Sequence, residues 1–141
     1  MTRVPASLSQ LRGGGKAALA RAISAVETQA DSAELTRFLD EATRNGRAQV
    51  LGLTGPPGVG KSTLTNALIR AYRGRGESVG VIAVDPSSQV TGGALLGDRT
   101  RLSTDPADTG IFVRSMAARD RLGGLSDHAI AAVVGAARVR Q

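Results

Sequence analysis

The stretch Gly55-Pro56-Pro57-Gly58-Val59-Gly60-Lys61-Ser62 decides the fold of this 141-residue chain. It matches the phosphate-loop pattern G-x-x-x-x-G-K-[S/T] without a gap. Glycines let the backbone turn so that its N–H groups point inward and form a nest for phosphate at the start of a helix. Lys61 would place an ammonium near the β and γ phosphates, and the Ser62 hydroxyl would ligate Mg²⁺. The predicted nucleotide site comprises Gly55, Pro56, Pro57, Gly58, Val59, Gly60, Lys61, Ser62 and Thr63, the last beside the α phosphate.

The segments on either side of this loop have the pattern of an α/β domain. Short apolar runs alternate with a helical segment, which favours a mostly parallel sheet covered by helices. The predicted elements are a buried parallel strand over Val50–Leu53, a helix over 61–72, a second strand over 79–84 and a third strand over 111–113. The phosphate loop therefore lies between a strand and a helix, which is the context that its function requires.

The first 46 residues are predicted to form a helical hairpin. Residues 1–15 show no sustained period and read as a loose lead-in, whereas Leu19, Ile23 and Val26 share one helical face. A second helix would begin with a capping box of Asp31 and Glu34. It carries an apolar stripe of Leu35, Phe38, Leu39 and Ala42, and Asn45-Gly46 would end it in a left-handed conformation. The predicted domains are thus an arm, residues 1–46, and a phosphate-loop domain, residues 47–141.

The last 16 residues of the chain predict one further helix. Ser126-Asp127 would cap it, and an apolar face of Ile130, Val133, Val134 and Ala137 would turn inward. This helix would complete a strand-plus-crossover unit of the parallel sheet.

Two acidic residues are candidates for work beside the phosphates. Asp85 follows the second strand at its carboxyl end, where open parallel sheets bind ligands, and it could hold Mg²⁺ through water or orient an attacking water. The alternative is that Asp85-Pro86 only opens a turn. Asp98 lies in a polar, Gly-rich segment, residues 91–99, that could change conformation with the γ phosphate.

Composition excludes several other classes of function. The absence of cysteine rules out disulfides and thiolate metal sites, and the single histidine rules out any site that needs two imidazoles. The net charge of +6 is spread along the chain and aromatic residues are few, so we expect no nucleic-acid binding. No apolar run is long enough for a membrane span and no secretory signal is visible, so a cytoplasmic protein is expected.

Several segments together resemble one family, the methylmalonyl-CoA mutase-associated GTPases of the MeaB/ArgK type. They are the phosphate loop, Val84-Asp-Pro-Ser-Ser88, Gly92-Gly-Ala-Leu-Leu-Gly-Asp-Arg99, Arg114-Ser-Met116 and Leu122-Gly-Gly-Leu125, in the family's order. The resemblance runs from about Leu19 to Leu125. It implies a P-loop NTPase three-layer fold and a Mg²⁺-dependent GTPase that acts as a chaperone for a cobalamin-dependent methylmalonyl-CoA mutase, usually as a homodimer.

The resemblance also implies roles for individual residues, and it shows where this sequence departs from the family pattern. Lys61 and Asp98 would be catalytic, and Ser62 and Asp85 would serve the metal. The family continues beyond Gln141 with an acid-bearing strand, an Asn-Lys-x-Asp guanine-reading loop and a dimerising tail, none of which this sequence contains. We therefore expect an incomplete sheet, a truncated chain, and unpaired backbone groups along Val50–Leu53 that favour aggregation.

Two alternatives to a GTPase chaperone stay open at this point. One is a phosphate-binding remnant that neither hydrolyses nucleotide nor selects a base. The other is a kinase or ATPase, since these enzymes share the loop and would accept ATP.

Overall fold

The computed structural model describes residues 3–29, 31–56, 58–85, 102, 104–117 and 125–137. In chain order its elements are α1 (Leu8–Gly13), α2 (Gly15–Thr28), α3 (Ala33–Asn45), α4 (Lys61–Gly74), β1 (Val79–Asp85), β2 (Ile111–Ala117) and α5 (Leu125–Ala137). They fall into a helical unit of α1, α2, α3 and α5, and a phosphate-loop unit of α4, β1 and β2. The chain is α/β, with the parallel strands that the sequence predicts. The division at residue 46 into an arm and a phosphate-loop domain stays a prediction.

The helical unit is held together by a continuous apolar core. The predicted face of α2 is confirmed, because Leu19, Ile23 and Val26 are all at most 4% exposed. Alanines on the same helices are also buried, and their small side chains let the helices approach closely. The core consists of Leu8, Leu11, Ala18, Leu19, Ala22, Ile23, Ala25, Val26, Leu35, Phe38, Ala42, Ile130, Val133, Ala136 and Ala137. Within the described ranges, no helix has the length and apolar character that crossing a membrane requires.

The prediction that residues 1–15 form a loose lead-in is wrong. Leu8–Gly13 is a helix, and the side chain of Ser7 caps it by accepting a hydrogen bond from the Gln10 N–H at 3.2 Å. Leu8 and Leu11 are buried in the helical unit. A helix of six residues is too short to show a period in the sequence, so its stability comes from packing rather than from propensity.

Helix α3 differs from its prediction in the residue that caps its start and in the backbone conformation that follows its end. The cap is Ser32 rather than Asp31, and its hydroxyl accepts from the Leu35 N–H at 3.4 Å. The helix ends at Asn45 as expected, but Gly46 has a φ of −71° and an extended backbone instead of a left-handed one. Of the predicted apolar stripe, Leu35, Phe38 and Ala42 are buried while Leu39 is half-buried.

Helix α5 begins one residue before its predicted cap. Because the helix starts at Leu125, Ser126 and Asp127 lie inside its first turn and do not precede it. Its inner face is close to the expected one, with Ile130, Val133 and Ala137 buried and Val134 half-buried. Arg12 on α1 donates from Nε to the carbonyl of Ala136 at 2.9 Å, and so satisfies one of the carbonyls that the end of a helix leaves without a partner.

The phosphate-loop unit contains a parallel pair of strands. The predicted second and third strands are both confirmed, and their register runs from Val79 opposite Ile111 to Asp85 opposite Ala117. Ile69 of α4 is buried, as are Ile111, Phe112 and Met116 of β2. Because the strands are parallel, their carboxyl ends lie at the same end of the pair.

The predicted buried strand over Val50–Leu53 is wrong as a description of this structure. The segment has no strand partner among the described residues, and Val50, Leu51 and Leu53 are 71%, 65% and 40% exposed. An extended segment becomes a buried strand only when neighbouring strands satisfy its backbone groups. Neither β1 nor β2 pairs with it, so its apolar side chains face solvent.

Candidate phosphate-binding site

The phosphate loop has the backbone conformation that its glycines allow. Gly58 and Gly60 have φ values of 79° and 98°, in the left-handed region that favours glycine. A Cβ atom at either position would meet nothing within 4 Å, so it is the backbone conformation and not lack of space that requires glycine. The loop thereby turns directly into α4, whose first residue is Lys61.

The first turn of α4 offers hydrogen-bond donors that no side chain caps. Gly60 is the N-cap and has no side chain, and the turn contains no acidic residue. The first bond of the helix runs from the Leu64 N–H to the Gly60 carbonyl at 3.0 Å. The preceding amides of Lys61, Ser62 and Thr63 have no place in the α-helical hydrogen-bond ladder, and a helix N-terminus of this kind attracts anions.

Lys61 adds a full positive charge to this turn. Its Nζ donates to the carbonyl of Gly55, so the ammonium reaches back to the first residue of the loop. No salt bridge within the described ranges joins it to a carboxylate. Lys61 and Ser62 are half-buried, and Thr63 is exposed. Among the described residues, the ammonium is therefore held by a neutral carbonyl alone. An anion with several oxygens would accept stronger hydrogen bonds and replace that carbonyl.

The predicted metal residues occupy two different elements. Ser62 lies in the first turn of α4, and Asp85 is the last residue of β1. Among the described residues no three His, Cys, Asp or Glu side chains cluster as a metal site. Mg²⁺ does not require such a cluster, since it keeps several waters and binds through one or two protein oxygens together with phosphates. A serine hydroxyl at a phosphate loop fits this requirement. Pro57 and Asp98 lie outside the described residues.

One contact that the sequence did not predict lies near the amino ends of the two strands. Arg73, in the last turn of α4, donates to Asp108 from Nε at 2.9 Å and from Nη2 at 2.8 Å. Its Nη1 also donates to the carbonyl of Glu77 at 2.8 Å. The hydrogen bond to Asp108 raises the pKa of Arg73. The turn residues around Asp108 signal a loop before β2, but nothing in their spacing points to Arg73.

Sequence reasoning also gave Ser115 no role beyond its place in a motif. Its hydroxyl lies on β2, is buried, and has no hydrogen-bond partner among the described residues. A buried polar group without a partner is uncommon in native proteins. The pattern of β2 could have placed Ser115 on a strand, but not its burial, which depends on the surrounding chain.

Searches of known proteins find relatives over most of the chain. A protein of Pyrococcus abyssi with a provisional GTPase name is 48% identical over 120 residues, which cover 84% of this chain and 36% of the relative. GTPase ArgK of Escherichia coli is 41% identical, over 87% of this chain and 38% of the relative. The fused isobutyryl-CoA mutase of Cupriavidus metallidurans is 40% identical, over 82% of this chain and 11% of the relative.

The chain thus spans little more than a third of the length of the GTPases that it resembles. The model of one protein family, described as methylmalonyl-CoA mutase-associated GTPase MeaB, matches residues 19–137. This match includes the phosphate loop, α4 and both strands. With most of its length accounted for in this way, the chain belongs to the MeaB family of GTPases.

Proposed function

We propose that this chain binds GTP together with Mg²⁺ through residues Gly55–Thr63, as part of a GTPase that serves a cobalamin-dependent methylmalonyl-CoA mutase. The observation that carries the proposal is the Lys61 ammonium at an uncapped helix N-terminus, which donates to the carbonyl of Gly55 and meets no carboxylate among the described residues. Membership of the family supports GTP as the nucleotide.

Each residue of the loop would act on the phosphates by position and charge. On binding, Lys61 would exchange the Gly55 carbonyl for β- and γ-phosphate oxygens, which accept a stronger, charge-assisted hydrogen bond. The amides of the first turn of α4 would donate to the same oxygens. Phosphoryl transfer needs little covalent chemistry from the protein, so this positioning and charge stabilisation make up most of catalysis.

Two acids and a hydroxyl would complete the site. Ser62 would ligate Mg²⁺, whose positive charge would offset the negative charge of the phosphates. Asp85 would hold a water of that ion or orient the attacking water. Asp98 would respond to the γ phosphate. Catalytic roles for Lys61 and Asp98 remain part of this proposal.

The partner is proposed from the names of the relatives. The family description names methylmalonyl-CoA mutase, and one relative is a fused isobutyryl-CoA mutase. Both names associate this kind of domain with an acyl-CoA mutase. A chaperone role at the mutase, a homodimer and a cytoplasmic location belong to the same proposal, for the protein as a whole.

Phosphate binding without turnover is the alternative for the 141 residues themselves. The exposed segment Val50–Leu53 favours it, because this segment pairs with neither β1 nor β2, and a loop whose leading segment is not fixed in a sheet is less well preorganised. An ATPase or kinase would share the loop and differ in the base that it accepts. Nucleotide selectivity and turnover therefore separate the three functions.

The test titrates the full chain with fluorescent GTP and ATP in Mg²⁺ and measures phosphate release. We expect GTP to bind in preference to ATP, and Lys61→Ala to weaken binding by about 100-fold or more, since it removes a charge-assisted contact to two phosphates. Lys16→Ala is the matched control, because it removes the same charge from α2, in the helical unit, and should leave the affinity unchanged.

Other results would contradict specific parts of the proposal. If both nucleotides bind weakly and equally, the loss of binding in Lys61→Ala would support the phosphate-binding alternative. Preference for ATP would indicate the kinase or ATPase class. Equal affinity of Lys61→Ala and the unchanged chain would remove the phosphate-loop assignment itself.

A further inference from the structure

Ser115 carries a buried hydroxyl for which the described residues provide no hydrogen-bond partner. Its Oγ atom is shielded from solvent and makes no hydrogen bond within the described part of the chain. Keeping such a group costs stability, because its hydrogen bonds to water are lost without replacement. A polar group that the fold places within reach of this hydroxyl could supply a partner.

The strand register identifies one such group. Ser115 lies opposite Ala83, and Ala117 lies opposite Asp85, in the parallel pair of β1 and β2. Because successive residues of a strand alternate between the two faces, these four positions share one face at the carboxyl end of the pair. Two of them are alanines. Ser115 is the only hydroxyl donor of the four and Asp85 is the only anionic acceptor.

The separation of the two positions suits an indirect or a direct hydrogen bond. Neighbouring strands lie about 4.8 Å apart and rise about 3.3 Å per residue, which puts the Cα positions of Ser115 and Asp85 about 8 Å apart on the diagonal. A serine and an aspartate can close this distance with one bridging water, or directly where strand twist brings them nearer.

We propose that Ser115 is a positioning residue for Asp85: in the nucleotide complex its hydroxyl donates to the Asp85 carboxylate, directly or through one water, and fixes the orientation in which that carboxylate serves Mg²⁺. This inference rests on the proposed function, because Asp85 has its metal role only there. A carboxylate can accept several hydrogen bonds, so a bond from Ser115 would not prevent Asp85 from serving Mg²⁺. Ser115 itself touches neither nucleotide nor metal.

The experiment compares Ser115→Ala, Ser115→Thr and the unchanged full chain. The affinity for fluorescent GTP is measured in excess Mg²⁺ and again in EDTA, and thermal unfolding is followed without nucleotide. We expect Ser115→Ala to weaken binding in Mg²⁺ by about tenfold, the effect of one hydrogen bond to a charged group, and to leave binding in EDTA unchanged. Its unfolding temperature should stay the same or rise, because the variant removes a buried hydroxyl that no described residue satisfies. Ser115→Thr keeps the hydroxyl and should restore the affinity.

A double-mutant cycle with Asp85→Ala tests the pairing. If Ser115 acts through Asp85, adding Ser115→Ala to Asp85→Ala should produce no further loss in Mg²⁺. Independent losses that add, or a Ser115→Ala variant with unchanged affinity, would overturn the inference. A lower unfolding temperature with equal loss of binding in Mg²⁺ and in EDTA would also overturn it, since that pattern indicates a structural role.

The same measurements separate this inference from the proposed function. If the unchanged chain does not bind nucleotide, or Lys61→Ala binds equally well, the proposed function fails and the inference fails with it. If Lys61→Ala loses binding while Ser115→Ala binds as the unchanged chain does, only the role of Ser115 is refuted.

Discussion

Arg73 and Asp108 join the end of the phosphate-loop helix to the turn before β2 through two hydrogen bonds of 2.9 and 2.8 Å. The same carboxylate accepts from the Gly110 N–H at 2.8 Å, and Gly110 in turn accepts at its carbonyl from the Val79 N–H at 2.8 Å. Three elements, α4, β1 and β2, are thus connected through one ion pair. The contact lies near the amino ends of the strands, away from their carboxyl ends. We infer that it stabilises the packing of α4 against the strands and takes no part in phosphate binding.

Gly110→Ala should destabilise the phosphate-loop unit. A Cβ atom at Gly110 would lie 2.2 Å from Cζ of Arg73, whose guanidinium is held by hydrogen bonds and cannot simply move aside. Overpacking of this kind costs about 1–3 kcal/mol, to be measured by urea unfolding. In an Arg73→Ala background the same substitution should cost much less, because the guanidinium is gone. Equal costs in both backgrounds would show that the close approach does not exist in solution.

The pH dependence of this ion pair follows from the direction of the Arg73 shift. The hydrogen bond to Asp108 raises the pKa of Arg73, so the folded state holds this proton more tightly than the unfolded state. Its contribution to stability is therefore complete below the ordinary pKa of arginine and is lost only in strong base. Comparing the unchanged chain with Arg73→Ala by urea unfolding between about pH 7 and pH 9 should give a constant difference. A difference that falls across this range would mean that another group controls the contact.

Two neighbouring glycines should respond in opposite ways to alanine. At Gly14 a Cβ atom would lie 2.5 Å from the Cβ of Ala18, which is buried, so Gly14→Ala should cost about 1–3 kcal/mol. Gly13 is the matched control, because its Cβ would meet nothing within 4 Å and it ends α1. Gly13→Ala should stabilise by about 0.4–1 kcal/mol, since alanine has less conformational freedom in the unfolded chain. If both variants lose similar stability by urea unfolding, the junction of α1 and α2 differs from the one described.

Ser32 caps α3 in the structure, whereas the sequence alone assigns the cap to Asp31. Ser32→Ala should lower the free energy of unfolding by about 1 kcal/mol, because it removes the acceptor for the Leu35 N–H. Asp31→Ala should change it by less than about 0.5 kcal/mol, since Asp31 is exposed and is not the cap. Thermal or urea unfolding of the two variants measures the difference. A larger loss for Asp31→Ala than for Ser32→Ala would indicate that Asp31 caps the helix, as the sequence predicts.

The sequence predicts well where a local rule decides the structure. The spacing of Leu19, Ile23 and Val26 gives the buried face of α2, and the phosphate-loop motif gives the start of α4 at Lys61. The sequence predicts poorly where a contact depends on residues that are far apart along the chain. The carboxylate that Arg73 meets is 35 residues away, so no local pattern reveals the pair. Asp and Ser are both favoured as helix caps, so residue type alone does not select between Asp31 and Ser32.

A substitution at Leu51 distinguishes the buried strand that the sequence predicts from the exposed segment that the structure shows. Its side chain is 65% exposed, so Leu51→Thr should change the free energy of unfolding by less than about 0.5 kcal/mol. The same variant should increase the concentration that remains in the supernatant on storage, because it reduces exposed apolar surface. Leu19→Thr is the control: this leucine is 1% exposed, and we expect a loss of about 2–5 kcal/mol, as for a large core truncation. Should Leu51→Thr lose stability on the scale of Leu19→Thr, residues 50–53 are buried in solution, and the strand inferred from their apolar run is correct.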